Sequence, residues 1–360
     1  MFRPRGLSLK TLWHLLRKPA LRPPTDRAVH VFLCIVDHFE PMVDRVGIEH
    51  QRQRIDRWVC EYPQSVTGMV DSRGRMPQHT FFYPAEEYNP EHLDKLAALC
   101  RQGLGDVEVH LHHDNDTAEN LRHTLETFRD RLFHTHGLLR KDAQGQITYG
   151  FVHGNWALCN SRPDGRWCGV NNELSVLHET GCYADFTMPS APSPTQTRMV
   201  NSIYYATDNP RQTKSHDTGT PARVDNTPPA RSLLLIQGPL MLDGSRRKYG
   251  LLPRLENGDL QGKFPPTLDR FDLWLRAGVS VTGRPDWIFV KLHTHGAPER
   301  NANMLLGEPM RQFRQALSTY AAENPWLQYY YVTAQEMAQL VHQAEGGRMV
   351  PEWADLVPKL

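Results

Sequence analysis

Histidines and aspartates are concentrated in one short stretch, EVHLHHDNDT at residues 108–117, which continues an alternating apolar pattern. Neutral imidazole and carboxylate groups are ligands of zinc and similar divalent ions, and a catalytic site commonly uses three of them and leaves a position for water. His112 is the strongest ligand candidate here, and Asp116, four residues on, can turn back to the same ion. The stretch therefore predicts metal-assisted chemistry.

Asp116 also has a structural explanation. The run DTAE at residues 116–119 precedes a helical pattern and matches a helix N-cap at Asp116 with a glutamate at the third position. A carboxylate has two oxygens, so the cap and ligand roles are compatible. For His110 and His113, the sequence leaves open whether they bind metal or are hydrogen-bonded structural histidines.

Chemically capable residues also end three other strand-like segments. IVDHFEP places Asp37 and His38 side by side, so that one can bind a metal while the other acts as a general base. In FVKLHTHG, His293 is suited to protonate a leaving group because an imidazole titrates near neutral pH, although a rim of hydrogen-bonded histidines is also compatible. The third segment, FVHGNWAL, adds His153, Asn155 and Trp156 as candidates, and FVKLHTHG also adds His295.

The segments that position these residues alternate between strand and helix patterns. Helical spacing follows the cap Asn89–Pro90, follows Asp116, and recurs at 172–181, 308–323 and 334–345. Near-continuous apolar runs are typical of strands buried on both faces of a parallel sheet. The eight strand candidates are VHVFLCIVDH, HTFFYPAEEY, DVEVHLHH, ITYGFVHGN, CYADFTMP, SLLLIQG, DWIFVKLHTHG and WLQYYYVTA.

This alternation predicts an α/β fold. Reactive residues end many strands, whereas a doubly wound sheet concentrates them at one switch point, so we expect a β/α barrel. Strand period two places His110 and His112 on the face opposite Val107 and Val109, with the histidines towards the barrel interior.

One domain is expected to span residues 28–345. Residues 201–231 are polar, rich in Pro and Thr and without periodicity, which predicts a long insertion that is either a loop over the active-site mouth or disordered. Residues 346–360 form a C-terminal tail, and residues 1–27 form a basic N-terminal segment. This segment is expected to be a packed helix, with an amphipathic helix on an anionic membrane as the alternative.

Composition excludes several classes of protein. With 41 Lys and Arg against 40 Asp and Glu, the net charge of +1 gives no field that favours nucleic acid. The six cysteines include no CxxC pair, which argues against a disulfide scaffold or zinc ribbon and indicates a reduced, cytoplasmic chain. No apolar run is long enough to span a bilayer, but peripheral membrane contact through residues 1–24 stays open.

The order of the motifs resembles the polysaccharide deacetylase superfamily, metal-dependent carbohydrate esterases with a distorted, often seven-stranded β/α barrel. IVDHFEP is similar to the family's paired-aspartate motif, which implies Asp37 as the catalytic base and His38 as a metal ligand. EVHLHHDND is similar to its His-x-x-x-His motif, which implies His112 and Asp116 as ligands. KLHTHG is similar to its late Leu-His motif, which implies His293 as the general acid.

The resemblance implies a hydrolase that removes an acetyl or other N-acyl group from an N-acetylated sugar or glycan. A divalent metal, with zinc the expected ion, would be held by His38, His112 and Asp116. A barrel of seven or eight parallel strands is implied, with a carbohydrate as the binding partner. The expected substrate-binding residues are His153, Asn155, Trp156, Tyr204 and His295.

Three departures from the family pattern keep other functions open. His38 and Asp116 stand where the family usually has Asp and His, and its arginine motif is not recognisable in FVHGNWAL. A catalytically inactive carbohydrate-binding barrel is one alternative. Another is an amidohydrolase-type hydrolase of C–N bonds, although its His-x-His pair is expected on the first strand and not after two others.

Overall fold

A computed structural model describes residues 7, 15, 27–248, 252–354 and 356 of the 360-residue chain. Its strands are β1 (Val29–His38), β2 (His79–Pro84), β3 (Gly105–Leu111), β4 (Arg140–Lys141), β5 (Ile147–His153), β6 (Cys182–Asp185), β7 (Ile203–Ala206), β8 (Thr220–Pro221), β9 (Leu233–Ile236), β10 (Met241–Lys248), β11 (Leu252–Glu256), β12 (Asp259–Leu260), β13 (Trp287–Thr294) and β14 (Leu327–Tyr331). The helices are α1 (Ile48–Val66), α2 (Pro90–Arg101), α3 (Ala118–His134), α4 (Glu173–Glu179), α5 (Leu268–Ala277), α6 (Glu299–Leu305), α7 (Glu308–Glu323) and α8 (Ala334–Glu345).

Most strands belong to one sheet in the order β12-β13-β1-β2-β3-β5-β6-β9-β7-β8, in which every pair from β12 to β9 is parallel. β14 pairs with the first half of β1 and β2 with its second half, both in parallel. β7 adds an antiparallel edge, and β10 and β11 form a separate hairpin. All eight predicted strands are present, and the prediction of an α/β fold is confirmed.

Alternation along the strands divides their side chains between two apolar clusters. In β1, Val31 and Leu33 join a cluster that also contains residues of α1, α2 and α3, and we call this side of the sheet the helix face. Phe32 and Cys34 point to the other side, the inner face, where α8 packs. Val107, Val109 and Leu111 of β3 all lie on the helix face, as predicted. By the same alternation, Asp37 points to the helix face and His38 to the inner face.

Helix α3 begins one residue later than predicted. Thr117 is its N-cap, because the Thr117 hydroxyl accepts a hydrogen bond from the Asn120 backbone N–H at 3.2 Å. Asp116 supports this turn from outside, since its Oδ1 accepts from the Thr117 N–H and from the Asn120 side-chain amide, both at 2.7 Å. The prediction of Asp116 as the N-cap is therefore wrong by one position.

The polar segment 201–231 is not a structureless insertion, which corrects the sequence-based expectation. It contributes β7, which pairs with β9, and β8, which pairs with β7. Every residue of β7 is buried. A four-residue strand within a polar stretch leaves too short an apolar run to be recognised by periodicity.

The chain ends are only partly described. The predictions for the basic segment 1–27 and for its membrane contact lie outside the described residues, apart from Leu7, Leu15 and Arg27. In the described part of the C-terminal tail, Trp353 packs on Tyr330 with 4.6 Å between ring centroids. None of the helices in the described ranges combines the length and apolar character that a membrane span needs. All six cysteines are free thiols, as expected.

Candidate metal centre

Imidazoles from β1, β3 and β13 meet at the carboxyl ends of these strands. The His38 ring lies 5.0 Å from the His110 ring, 4.8 Å from the His295 ring and 6.3 Å from the His293 ring, between centroids. The His110 and His112 rings are 4.5 Å apart, so His110 neighbours both His38 and His112. The parallel register of β1 and β13 pairs Val36 with His293, which brings the two strand ends to the same level.

Glu40 joins these histidines. Its Oε1 lies 3.2 Å from Nε2 of His110 and 3.2 Å from Nε2 of His112, and its Oε2 lies 3.4 Å from Nδ1 of His295. The chain after β1 stays extended, because the backbone N–H of Phe39 donates to the Phe82 carbonyl at 3.0 Å. Glu40, two residues after His38, therefore shares its face. We call Glu40, His110 and His112 the first cluster.

The outer nitrogens of the first cluster fix how its histidines are protonated. Nδ1 of His110 lies 2.8 Å from the carbonyl oxygen of Val152, and Nδ1 of His112 lies 2.6 Å from Oε1 of Glu86. Both oxygens are acceptors, so each Nδ1 carries the proton and donates. In a neutral ring each Nε2 then presents a lone pair towards Glu40. Three converging acceptors can be held together by a cation, and the outer contacts match those that orient metal-bound histidines.

Charge and burial act in opposite directions in this cluster. Burial disfavours a charged His112, but its contacts with the carboxylates of Glu40 and Glu86 outweigh burial and raise its pKa to about 10. Burial would likewise raise the pKa of Glu40, but hydrogen bonds from His110, His112 and His295 bring it below its ordinary value. A proton and a metal ion therefore compete for the same nitrogens.

The other histidines around the first cluster differ in accessibility. Burial, together with neighbouring cationic groups, lowers the pKa of His38 and of His293 well below the ordinary value, so both rings are neutral at pH 7. The buried Nδ1 of His293 has no hydrogen-bond partner among the described residues. His295 is different, because its side chain is 33 % exposed and because its contact with Glu40 outweighs burial and raises its pKa.

Asp37, the predicted base, points away from the first cluster. It is fully buried on the helix face, where its Oδ2 lies 2.8 Å from Nε2 of His79 and its Oδ1 accepts from the Gly296 N–H at 2.6 Å. The second bond holds the residue that follows His295. Alternation along β1 therefore turns the adjacent Asp37 and His38 to opposite faces of the sheet, and the base role of Asp37 stays a prediction.

Asp116, the predicted third ligand, lies beside His113 instead of in the first cluster. Its Oδ2 is 3.0 Å from Nδ1 of His113. The structure thus brings His38 and His112 towards one centre but replaces Asp116 there with Glu40. Sequence reasoning did not single out Glu40, although its position two residues after His38 on an extended chain was the available signal.

The predicted substrate-binding residues occupy contrasting positions. Asn155 is exposed and Trp156 is half-buried, both in the 3-10 turn that follows β5. Tyr204 is fully buried, and its hydroxyl donates to the carbonyl of His216 at 2.7 Å. Tyr204 therefore presents no surface on which a sugar could stack. His153 is also fully buried and belongs to a different cluster.

His113, His153, Cys168 and Glu173 form this second cluster, in which one potential ligand atom of each residue lies within 4.8 Å of the others. Burial lowers the pKa of His153 to about 4. Burial opposes the charged form of Glu173, but the two histidines outweigh it and lower its pKa to about 2. Cys168 and Glu173 were not predicted, because they come from parts of the chain that only the tertiary fold brings to the histidines.

Comparison with protein-family models and with curated proteins finds no match to this chain. The resemblance to polysaccharide deacetylases therefore depends on the motifs and stays a prediction.

Proposed function

We propose that the protein is a metal-dependent hydrolase that removes the acetyl group from an N-acetylated sugar, with a divalent metal bound by Glu40, His110 and His112. The observation that carries the proposal is the convergence of two imidazole nitrogens, Nε2 of His110 and Nε2 of His112, on Oε1 of Glu40, each at 3.2 Å, while both Nδ1 atoms are already committed to other oxygens. Of the ligands expected from sequence, His112 is kept, His38 stands beside His110, and Glu40 takes the place of Asp116.

The donor set suits zinc. Two histidines and one carboxylate are the protein ligands of many hydrolytic zinc sites, which leave a fourth position for water or substrate. His112 and His295 are each 33 % exposed, so a ligand can approach from the strand ends. Lewis-acid activation of water and of an acyl carbonyl is the chemistry that a metal bound here supplies.

The residues of the chain have complementary roles in this proposal. In amide hydrolysis the water oxygen bonds to the acetyl carbon, the C–N bond breaks and a proton passes to the departing nitrogen. His38, a neutral ring 5.0 Å from that of His110, is placed to accept the proton of water, and the more exposed His295, whose pKa is raised, is suited to deliver one to the amine. The contacts of Asp37 favour a positioning role through Gly296, next to His295.

We further propose that the sheet curves into a distorted β/α barrel. In support, Lys291 Nζ on β13 donates to the carbonyl of Phe186, directly after β6, at 2.8 Å. A Cβ built on Gly238, just after β9, would lie 2.5 Å from the Lys291 carbonyl oxygen. Strands far apart in the sheet order thus approach each other across the inner face. The first cluster would lie at the carboxyl end of this barrel, where active sites of such folds are found.

The proposal is tested by measuring bound metal and acetate release from N-acetylated sugar oligomers. Glu40→Gln and His112→Ala are each expected to lose one equivalent of metal and to release acetate at least about 10²-fold more slowly. His123→Ala, which changes an exposed histidine of α3, is the matched control and should resemble wild type.

Two outcomes would overturn this function. Unchanged metal content and activity in Glu40→Gln would remove the first cluster from the mechanism. A wild-type protein that binds the sugar oligomers without releasing acetate would be a carbohydrate-binding barrel instead.

A further inference from the structure

The second cluster is not used by the proposed hydrolysis, and its geometry is that of a closed metal site. Nε2 of His113 lies 2.9 Å from Nε2 of His153 and 3.2 Å from Oε1 of Glu173, and the remaining separation, from His153 Nε2 to Glu173 Oε1, is 3.4 Å. Bonds of about 2.0–2.1 Å at tetrahedral angles separate ligand atoms by about 3.3 Å. The triangle therefore has the dimensions of three ligands around one zinc ion.

Hydrogen bonds on the outer side of the two rings aim lone pairs into this triangle. Nδ1 of His113 faces Oδ2 of Asp116 at 3.0 Å, and Nδ1 of His153 faces the carbonyl of Gly154 at 2.6 Å. Each Nδ1 is thus the donor, so both Nε2 atoms of neutral rings are acceptors and face each other and the Glu173 carboxylate. A metal ion or a shared proton between the acceptors would satisfy this contact, and Asp116 and Gly154 orient the rings as the outer partners of metal-bound histidines do.

Cys168 supplies a fourth ligand. As a thiol, its Sγ donates to Oε2 of Glu173 at 3.4 Å and accepts the backbone N–H groups of Asn160 at 3.2 Å and of Val170 at 3.4 Å. Burial beside the Glu173 carboxylate raises the pKa of this thiol, so the thiolate, the form of cysteine that binds metal, would form as a metal ion displaces the proton. The thiolate also distinguishes this site chemically from the first cluster.

Burial indicates a structural rather than a catalytic ion. His153, Cys168 and Glu173 are fully buried, and the His113 side chain is 7 % exposed. A site with four protein ligands and no open position is typical of structural zinc. The ligands come from the residues after β3, the end of β5, the loop between β5 and α4, and the start of α4, which are segments that an ion would tie together.

We propose that His113, His153, Cys168 and Glu173 bind a second, structural divalent metal ion of the zinc type, with Asp116 as the carboxylate that orients His113. This ion would bind whether or not the protein catalyses the hydrolysis proposed above. The protein would then carry two metal ions, one at each cluster.

Cobalt(II) reports on the two sites separately, because a cysteine thiolate bound to Co²⁺ gives a ligand-to-metal charge-transfer absorption that nitrogen and oxygen ligands lack. The full chain, freed of metal with a chelator, is titrated with Co²⁺. We expect two equivalents to bind, with the charge-transfer band saturating at one. Cys168→Ser should lose the band, whereas Cys159→Ser, at a buried cysteine of the same loop, should keep it.

Glu40→Gln separates this proposal from the proposed function, because it should lose one equivalent of Co²⁺ and keep the charge-transfer band. Glu173→Gln should lose the other equivalent, and chelation should lower the melting temperature of Glu40→Gln but not that of Glu173→Gln. Co²⁺-loaded wild type without a thiolate band would overturn the proposal and leave a proton shared between His113 and His153 as the explanation. The wild-type spectrum decides the matter even if Cys168→Ser fails to fold.

Discussion

Gly154→Ala tests whether the backbone after β5 holds His112 in place. A Cβ built on Gly154 would lie 2.5 Å from Cγ and 2.9 Å from Nε2 of His112, and closest of all to Cδ2. Ordinary contacts of a Cβ begin at 3.4 Å, so the ring must move by more than about 0.9 Å. The Gly154 backbone is outside the left-handed region, so the substitution adds no backbone strain.

A ring displaced by this distance loses its bond to Glu86, which is 2.6 Å long, and moves Nε2 away from the position set by Glu40. Loss of an outer partner of a ligating histidine typically weakens metal binding by about 10–100-fold. A misplacement of about 1 Å can also lower the rate by about 10²-fold. We expect effects of this size in a chelator-competition titration and in acetate release.

The control for Gly154→Ala is Gly244→Ala, an exposed site where a Cβ would have no described residue beyond its chain neighbours within 4 Å. In a His112→Ala background, Gly154→Ala should have no further effect, because the clashing ring is gone. Wild-type metal affinity in Gly154→Ala with an unchanged melting temperature would refute the view that His112 is a ligand held by this contact.

Four further changes test separate parts of the molecule. Asp37→Asn should keep the metal and lower the free energy of unfolding by about 1.5–3 kcal/mol. A kcat reduced by about 10²–10⁴-fold would support Asp37 as the base, and an unchanged kcat would exclude that role. Glu86→Gln should weaken metal binding by about 10–100-fold in the same titration, because it changes the outer partner of His112. Tyr204→Phe removes the hydrogen bond to the His216 carbonyl and should lower the free energy of unfolding, measured by chemical denaturation, by about 0.5–1.5 kcal/mol without changing acetate release. A rise in KM alone would contradict the view that Tyr204 is a core residue. Burial lowers the pKa of Lys291 to about 7, so above that pH the unfolded state binds more protons than the folded state and the free energy of unfolding rises with pH. Lys291→Met should flatten this rise between about pH 7 and 9. The same dependence of unfolding free energy on pH in wild type and variant would contradict this reasoning.

Eight strands were predictable because they are nearly continuous apolar runs or, as in β3, alternate between apolar and polar residues. For helices whose apolar residues recur with a clear helical period, the bounds were predicted as well, as for α7 at 308–323 and α8 at 334–345. Helix α1 was not predicted, since its sequence is rich in charged residues and contains Pro63. The hairpin β10–β11 and the short β7 lie in polar surroundings that give no periodic signal.

The site was predicted in its location but only in part in its ligands. Strand alternation was sufficient to place His110 and His112 on one face and to separate Asp37 from His38. The choice between Asp116 and Glu40 depends on where the chain turns after each strand, which no local pattern specifies. Likewise, Glu173 meets His113 across 60 positions of sequence, so only the folded chain shows that the two are partners.

His112 and His113 are neighbours in sequence, yet one contacts Glu40 and the other contacts Glu173. A single peptide plane therefore joins the two clusters, and a tilt of that plane would rotate both imidazoles at once. Substitutions at the two clusters should consequently be non-additive, so that the combined loss of Glu40 and Glu173 differs from the sum of the separate losses. An ion bound at the buried second cluster would therefore also restrict the movement of His112 in the more exposed first cluster.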